Sequence, residues 1–508
     1  MAVLSGLLLT GAFPKMEFSW LSWFAIVPLL ASIKDQSPRK SFRLGFLAGI
    51  IHYLTLMYWL GYTMHTYGRL PWSLSIPVLF LLTCYLSLYF GAFSFFVSFL
   101  CRIPSSILFL VPVLWVSFEY LRAVLFSGLP WELMGYTQYK ILPILQLSDV
   151  FGVYGISFLI AFSNAVIFMG SLFATGKNWK EFPVSKRLAG VSILTGIFTM
   201  SLVWIYGMWR ITVYDRLIEG SPKAHVAVVQ GNIDQVIKWD PEHQEASVEK
   251  YLNLSRTENP GSIDLIVWPE TAMPFYFLYD TELTLKVFQG IQTIGADFLI
   301  GSPSYIRRGN RIDYYNSAYL VRPDGKIYSK YSKVHLVPFG EYVPFRKWLP
   351  FLGKMVAQVG DFKPGKSGQT MPWGAHRIGM QICFEIIFPH LSRTLVKNEA
   401  NLLVNITNDA WFGKSSAPYQ HFSMAVFRAV ENKRSLVRSA NTGISGFVDP
   451  TGKILASTPL FTESTLTRDV SLLQTRTIYS RIGDLFAWTC LALAFVVVIR
   501  RAAFRRKG

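Results

Sequence analysis

The hydrophobic positions of this chain fall into two regimes. Through residue 212 they come in long, nearly unbroken runs, and a run of about 20 apolar residues is what a bilayer-spanning helix needs. Such runs lie near 18–33, 44–64, 72–100, 104–126, 151–174, 188–209 and, past a long polar stretch, 483–501. A shorter apolar piece, 2–13, ends at Pro14. It has no basic n-region and no small-residue cleavage site, so it reads as a short first helix paired with the next one rather than as a cleavable signal. The pattern predicts a polytopic bundle of about eight transmembrane helices, seven before the polar stretch and one after.

Between 213 and 480 the pattern changes. Short apolar runs alternate with amphipathic ones. "AHVAVVQGNI" (224–233), "DLIVWPET" (264–271), "DFLIGSPSYI" (297–306), "GMQICFEIIF" (379–388) and "NLLVNITND" (401–409) read as strands. "DPEHQEASVEKYLNLSRTE" (240–258) reads as a helix with Asp240 as N-cap and Pro241 in the first turn. "LTLKVFQGIQTIG" (283–295) and "HLSRTLVKNEA" (390–400) also read as helices, and 316–337 as a hairpin around Pro323-Asp324-Gly325. Strands alternating with helices define an α/β domain. The expected domains are therefore 1–212, 213–480 and a last helix with a basic tail, 481–508.

Composition agrees with membrane spans. Of the 508 residues 51% are hydrophobic and only 16% charged. Net charge is +18. No basic stripe is interleaved with aromatics, so nucleic acid is not the expected partner. Lys and Arg instead concentrate in "KDQSPRKSFR" (34–43), "GKNWKEFPVSKR" (176–187) and the tail 500–508. The positive-inside rule puts all three in the cytoplasm. One helix then separates residue 187 from the α/β domain, which must face the other side, in a bacterium the periplasm. Glu119 and Arg122 stand three apart inside a span and read as a mutual ion pair.

Of four cysteines, Cys84, Cys101 and Cys490 lie in apolar runs, and Cys383 alone lies in the α/β domain. No disulfide can form there. Three apolar runs finish near a reactive group: Glu270, Lys333 and Cys383. A carboxylate can take a thiol proton, and an ammonium can stabilise the oxyanion of an acyl intermediate. Taken singly, Glu270 could cap a loop, Lys333 could be surface and Cys383 could be core.

The strings around them are "WPET" (268–271), "KYSKVHLVPFGEYVP" (330–344) and "ICFE" (382–385), in that order, followed by "NITNDAWFG" (405–413). They resemble the carbon–nitrogen hydrolase (nitrilase) superfamily over most of 222–470. Such a domain held between seven helices and one resembles the apolipoprotein N-acyltransferase family over nearly the whole chain. "QGNIDQVIKW" (230–239) and "PWELMGYTQ" (130–138) add to the match. The resemblance implies an αββα sandwich with Cys383 as nucleophile, Glu270 as base and Lys333 as oxyanion group. It makes Glu341 and Glu385 supporting carboxylates and Trp239, Asn316 and Trp411 site-lining residues. Trp131 and Tyr136 would belong to a lipid-facing entrance. Phe384 departs from the family, which often has Tyr there.

By the same resemblance the enzyme needs no cofactor or metal. It moves an acyl chain from a phospholipid, typically phosphatidylethanolamine, through a cysteine thioester to the N-terminal amine of a diacylglyceryl apolipoprotein. The alternatives are a membrane-tethered amidase acting on small amides and a non-catalytic lipid- or protein-binding module. "MPFYFLY" (273–279) and 343–356 could be lids or lipid contacts, or ordinary packing. "GDFKPGKS" (360–367) spells a phosphate loop, but the Gly- and Pro-bearing "GQTMPWGAHR" after it will not start the helix such a loop requires.

Overall fold

The structure is a computed structural model, and it describes residues 1–256, 262–342 and 361–505. The chain divides into two compact units. The first comprises 1–61, 71–211 and 482–508; the second comprises 62–70 and 212–481.

In the first unit, α1 (Ala2–Gly11), α2 (Val27–Ile33) and α3 (Pro38–Leu56) precede α4 (Trp59–Thr66), which runs into the second unit. Then come α5 (Trp72–Leu100), α6 (Pro104–Val124), a single turn α7 (Leu142–Leu145), α8 (Ser148–Ala174) and α9 (Lys186–Glu219). Among the described residues, five helices are long and apolar enough to cross a membrane: α5, α6, α8, α9 and the final helix, Leu485–Arg505. The pair α3 and α4 meets the same test but bends by 53°. The run 18–33 is not one helix. It forms a 3₁₀ turn, Ser19–Trp23, and then the short α2. Pro28 accounts for the break, because it has no N–H to give and its ring would strike the carbonyl of Phe24. Helix α8 carries a kink at Gly152, whose φ of 64° suits glycine.

Glu119 and Arg122 both serve the segment after α6. Glu119 Oε1 accepts the Met134 N–H at 2.7 Å, and Arg122 donates to the carbonyls of Trp131 (2.8 Å) and Glu132 (3.4 Å). The expected mutual pairing gives way to backbone anchoring, since that segment has carbonyls and an N–H to satisfy away from water.

The second unit is built on two six-stranded sheets. The first contains β1 (Lys223–Gln230), β2 (Leu265–Val267), β3 (Asp297–Arg308), β4 (Arg311–Val321) and β5 (Ile327–Ser332). The second contains β6 (Met371–Trp373), β7 (His376–Ile382), β8 (Leu402–Thr407), β9 (Ser435–Ala440), β10 (Gly446–Val448) and β11 (Ile454–Ser457). Strand β12 (Ser464–Ser471) returns to pair with β1. Strand order is β12-β1-β2-β3-β4-β5 in one sheet and β11-β10-β9-β8-β7-β6 in the other.

Side-chain alternation explains the layers. Val226, Val228, Leu265, Val267 and Leu299 pack in one buried core with Met380, Ile382, Val404, Ile406 and Val437 of the other sheet. The intervening Ala227, Val229, Ile266, Phe298 and Ile300 turn outward. They pack on Val248 and Tyr251 of α10 (Pro241–Ser255) and on Val287 and Ile291 of α11 (Thr281–Ile294). Helices α12 (Pro389–Lys397) and α13 (Ala417–Asn432) accompany the second sheet. Strands buried on both faces read as continuous apolar runs for this reason. A short α14 (Ile478–Ile482) leads to the final helix, α15. The 361–367 segment starts no helix and leads to β6.

Candidate active site

Strand β2 stops at Val267, and the chain turns sharply through Trp268–Thr271, with Thr271 at φ 53°. The turn lies directly on Gly301 of β3. A Cβ there would come within 2.3 Å of the Pro269 oxygen and 2.9 Å of Glu270 Cα. This close approach needs glycine. It delivers a nearly buried Glu270, whose Oε1 accepts from Asn316 Nδ2 (2.8 Å) and Oε2 from the Asn408 N–H (2.9 Å).

Lys333 is the first residue after β5 and is 1% exposed. Its Nζ lies 2.9 Å from Glu341 and 3.6 Å from Glu270 Oε1. Asn316 Nδ2 also reaches Glu341 Oε1, at 2.9 Å, so it ties the two carboxylates together. The Val337 N–H fixes the other Glu341 oxygen at 2.8 Å. Burial opposes the charge on Lys333, but Glu341, Glu270 and Cys383 outweigh it and hold its pKa above the usual lysine value.

The strand expected across 379–388 ends at Ile382. Cys383 opens a 3₁₀ turn, Cys383–Ile387, and sits at φ 53°. Few non-glycine residues accept that conformation, and where they do the surroundings must hold it. One support is Glu385. Its Oε2 accepts the Ile382 N–H at 2.6 Å, and its Oε1 accepts the N–H groups of Val334 (2.6 Å) and His335 (3.1 Å). The Tyr331 hydroxyl adds a donor at 3.0 Å. Glu385 thus fastens the Cys383 turn to the Lys333 turn. Burial first, and then the Glu270 charge, push the Cys383 thiol well up, against the pull of Lys333. A raised thiol pKa favours the protonated sulfur, and a protonated thiol is a poor nucleophile without a base beside it.

The structure brings Glu270, Lys333, Glu341, Asn316, Cys383 and Glu385 into one cluster. Phe384 is half-buried, edge-on to Phe388 at 5.2 Å, and close to His335. His335 itself packs on Phe388 at 3.8 Å. Trp239 is half-buried in the segment after β1. Trp411 lies in the turn after β8, where its carbonyl accepts from Thr63 (2.8 Å) and its ring meets Tyr67 edge-on at 5.1 Å. Trp131 and Tyr136 belong to the first unit and are buried within it. Of the apolar tip 273–279, Met273, Phe275 and Phe277 are core, and only Leu278 and Tyr279 stay exposed. The second expected lid, 343–356, lies outside the described residues.

Sequence reasoning missed several participants. Lys238 is fully buried, with its Nζ 3.4 Å from the Glu270 carbonyl. Burial, against the Glu270 charge, lowers its pKa to about 8. Asn408 holds Glu270 through its N–H and Gln235 through its side chain. Behind Cys383 lie Asp409, His421 and Arg438, all buried. Lys238 stands between an exposed Ile237 and a half-buried Trp239, so its neighbours give no signal of its burial. His421 and Arg438 carry none.

A buried thiol, a carboxylate and an ammonium thus gather at the ends of strands drawn from both sheets. Residues 225–479 match the carbon–nitrogen hydrolase family, and residues 5–166 match the apolipoprotein N-acyltransferase N-terminal domain. The apolipoprotein N-acyltransferase of Geobacter metallireducens is 46% identical, over 100% of this chain and 95% of its own length. That of Haemophilus influenzae is 33% identical over 100% and 95%. Among solved structures, the NitN amidase from Neterenkonia sp. AN1 is 18% identical, covering 52% of this chain and 97% of the amidase, with a TM-score of 0.37. The chain belongs to the apolipoprotein N-acyltransferase family. It is a membrane protein and an N-acyltransferase.

Proposed function

We propose that this enzyme transfers an acyl chain from a membrane phospholipid, most simply phosphatidylethanolamine, to the N-terminal α-amine of diacylglyceryl-cysteine apolipoproteins. Glu270 takes the Cys383 proton as sulfur attacks the ester carbonyl. Lys333 holds the oxyanion, and the collapse of the intermediate expels the lysophospholipid alkoxide, which takes the proton from Glu270. The thioester is then attacked by the neutral amine. Glu270 accepts the amine proton, the amide forms, and the thiol is restored. Glu341 and Asn316 hold Lys333 and Glu270 in register, and Glu385 holds the nucleophile turn. Trp239 and Trp411 line the substrate path.

The observation that carries this reading is the Lys333 ammonium, buried between Glu270 and Glu341 beside a thiol at positive φ. The membrane helices support a lipid-borne donor and acceptor. The domain division is 1–212, 213–480 and 481–508, with about eight membrane passes in all. The basic segments 34–43, 176–187 and 500–508 support a cytoplasmic face for those loops, with the α/β domain in the periplasm at the inner membrane. The test is incubation with phosphatidylethanolamine carrying a labelled acyl chain. Hydroxylamine-labile label on the wild type and none on Cys383→Ala is expected. No label on folded wild-type protein would overturn the phospholipid-donor reading.

A further inference from the structure

The mechanism uses the front of Cys383, but its carbonyl points into a buried polar cluster. His421 Nε2 lies 3.2 Å from the Cys383 oxygen, and Asn405 Nδ2 lies 3.4 Å from it. A carbonyl can only accept, so Nε2 carries a hydrogen in either protonation state of the ring. His421 Nδ1 faces Asp409 Oδ1 at 3.1 Å and Arg438 Nη2 at 2.9 Å. Arg438 Nη2 also binds Asp409 Oδ2 at 2.9 Å, and its Nη1 binds Asn405 Oδ1. Thr407 donates to Asp409 Oδ1 at 2.9 Å. The four members come from β8, the turn after it, α13 and β9, and Asp409, His421, Asn405 and Arg438 are each 1% exposed or less. The space for Asp409 is cut by Gly443, where a Cβ would fall 2.3 Å from Asp409 Oδ2.

Such a cluster has a cost. Burying Asp409 and Arg438 is expensive even when they are paired, and apolar residues could fill the same volume. What it does locally is hold Cys383 at its positive φ. A peptide group is planar and trans, so its carbonyl and the next N–H point opposite ways. Fixing the Cys383 carbonyl inward therefore turns the Phe384 N–H outward and sets the Cα from which the thiol projects. Glu385 grips the same turn from the other end through the Ile382 N–H.

We propose that Asp409, His421 and Arg438 form a positioning device for the nucleophile: His421, oriented by the other two, clamps the Cys383 carbonyl and so aims the thiol between Glu270 and Lys333. This rests on the reading of Cys383 as the acyl-accepting residue. None of the three touches substrate. Their effect runs through the geometry of one strained peptide.

Two substitutions separate the clamp from mere filling. Glutamine places an amide nitrogen where Nε2 stands, while asparagine reaches only the Nδ1 position and leaves the Cys383 carbonyl to the longer bond from Asn405 alone. Arg438 keeps Asp409 as its partner in both. Full-length protein in detergent is acylated in a single turnover with labelled phosphatidylethanolamine, and Cys383 alkylation by iodoacetamide is timed in parallel. We expect His421→Asn to slow both reactions by roughly 10- to 100-fold, with half-saturating donor concentration unchanged, and His421→Gln to recover to within about fivefold of wild type. Wild-type rates in His421→Asn, or His421→Gln as slow as His421→Asn at similar thermal midpoints, would overturn the clamp. Should His421→Asn fail to fold, Asn405→Ser removes the second donor to the same carbonyl; slowed alkylation supports the clamp and an unchanged rate overturns it. Alkylation needs no lipid, so absence of label on wild type would sink the donor reading while the clamp is still judged on iodoacetamide.

Discussion

Glu385 shows how much one side chain can be asked to do. Its two oxygens take three backbone N–H groups and the Tyr331 hydroxyl. Burial raises its pKa to about 7 even so, with those N–H groups and Lys333 pulling it down. Replacement by glutamine puts an NH₂ against backbone N–H groups that an oxygen accepts in the native side chain. We expect Glu385→Gln to lose on the order of 2–4 kcal/mol of stability, read by thermal unfolding, and most acylation with it. Lys238 has the opposite character. It is a buried ammonium whose hydrogen bond to the Glu270 carbonyl is long, at 3.4 Å. Its folded pKa, about 8, lies below the ordinary 10.5. Between those values the unfolded chain binds the extra proton, so this group makes stability rise with pH from 8 to 10.5 and weakens the fold below. We expect Lys238→Met to raise stability at neutral pH by on the order of 1–3 kcal/mol and to flatten the rise between pH 8 and 10.5. A destabilised Lys238→Met, measured by denaturation across that range, would contradict the burial penalty.

At the scale of elements, strands and helices of the α/β domain were legible where apolar runs were short and bounded. The strand expected at 224–233 runs 223–230, and the helix expected from Asp240 begins at Pro241 with the Asp240 side chain as its cap. The strand expected to reach 388 stops six residues sooner, at Ile382; "ICFEIIF" is as apolar as a strand, and the turn comes from tertiary bonds to Ile382 and Cys383 that no local pattern encodes. Helix 18–33 was overread for the converse reason, since one proline outweighed a run of apolar residues. Glu270, Lys333, Cys383 and the two glutamates stand out as strings, whereas His421 and Arg438 sit in ordinary helix and strand contexts and become a cluster only through folding. Gly301 links element to site. Any side chain there must displace the backbone of 269–271. We expect Gly301→Ala to cost about 1–3 kcal/mol and to reduce acylation more than a comparable change on the outer face of β3, because the displaced atoms carry Glu270. Single-turnover acylation at a temperature where both variants are folded measures the difference.

At the scale of the whole molecule, the charge pattern and the chemistry make separate demands that must agree. A thioester is open to hydrolysis, so excluding water from it favours transfer over loss. Both proposed substrates are lipids, which puts the reaction at a membrane surface. Charge decides which surface. Lys and Arg hold short loops on the cytoplasmic side, and the loops 34–43 and 176–187 carry them in number. In the proposed orientation helix α9 is the single crossing between 187 and the α/β domain. Helix α15 carries the chain back to the basic tail. The orientation can be checked without any assay of activity. Lys177 and Arg307 are both exposed, the first in a basic loop and the second at the end of β3. We expect a membrane-impermeant maleimide added to intact spheroplasts to label Arg307→Cys and to leave Lys177→Cys unmodified until the membrane is opened. Labelling of both before lysis would mean a leaky preparation, which a cytoplasmic control protein reveals. Labelling of Lys177→Cys alone would invert the molecule, strand the site on the cytoplasmic side and remove the periplasmic reading at one stroke.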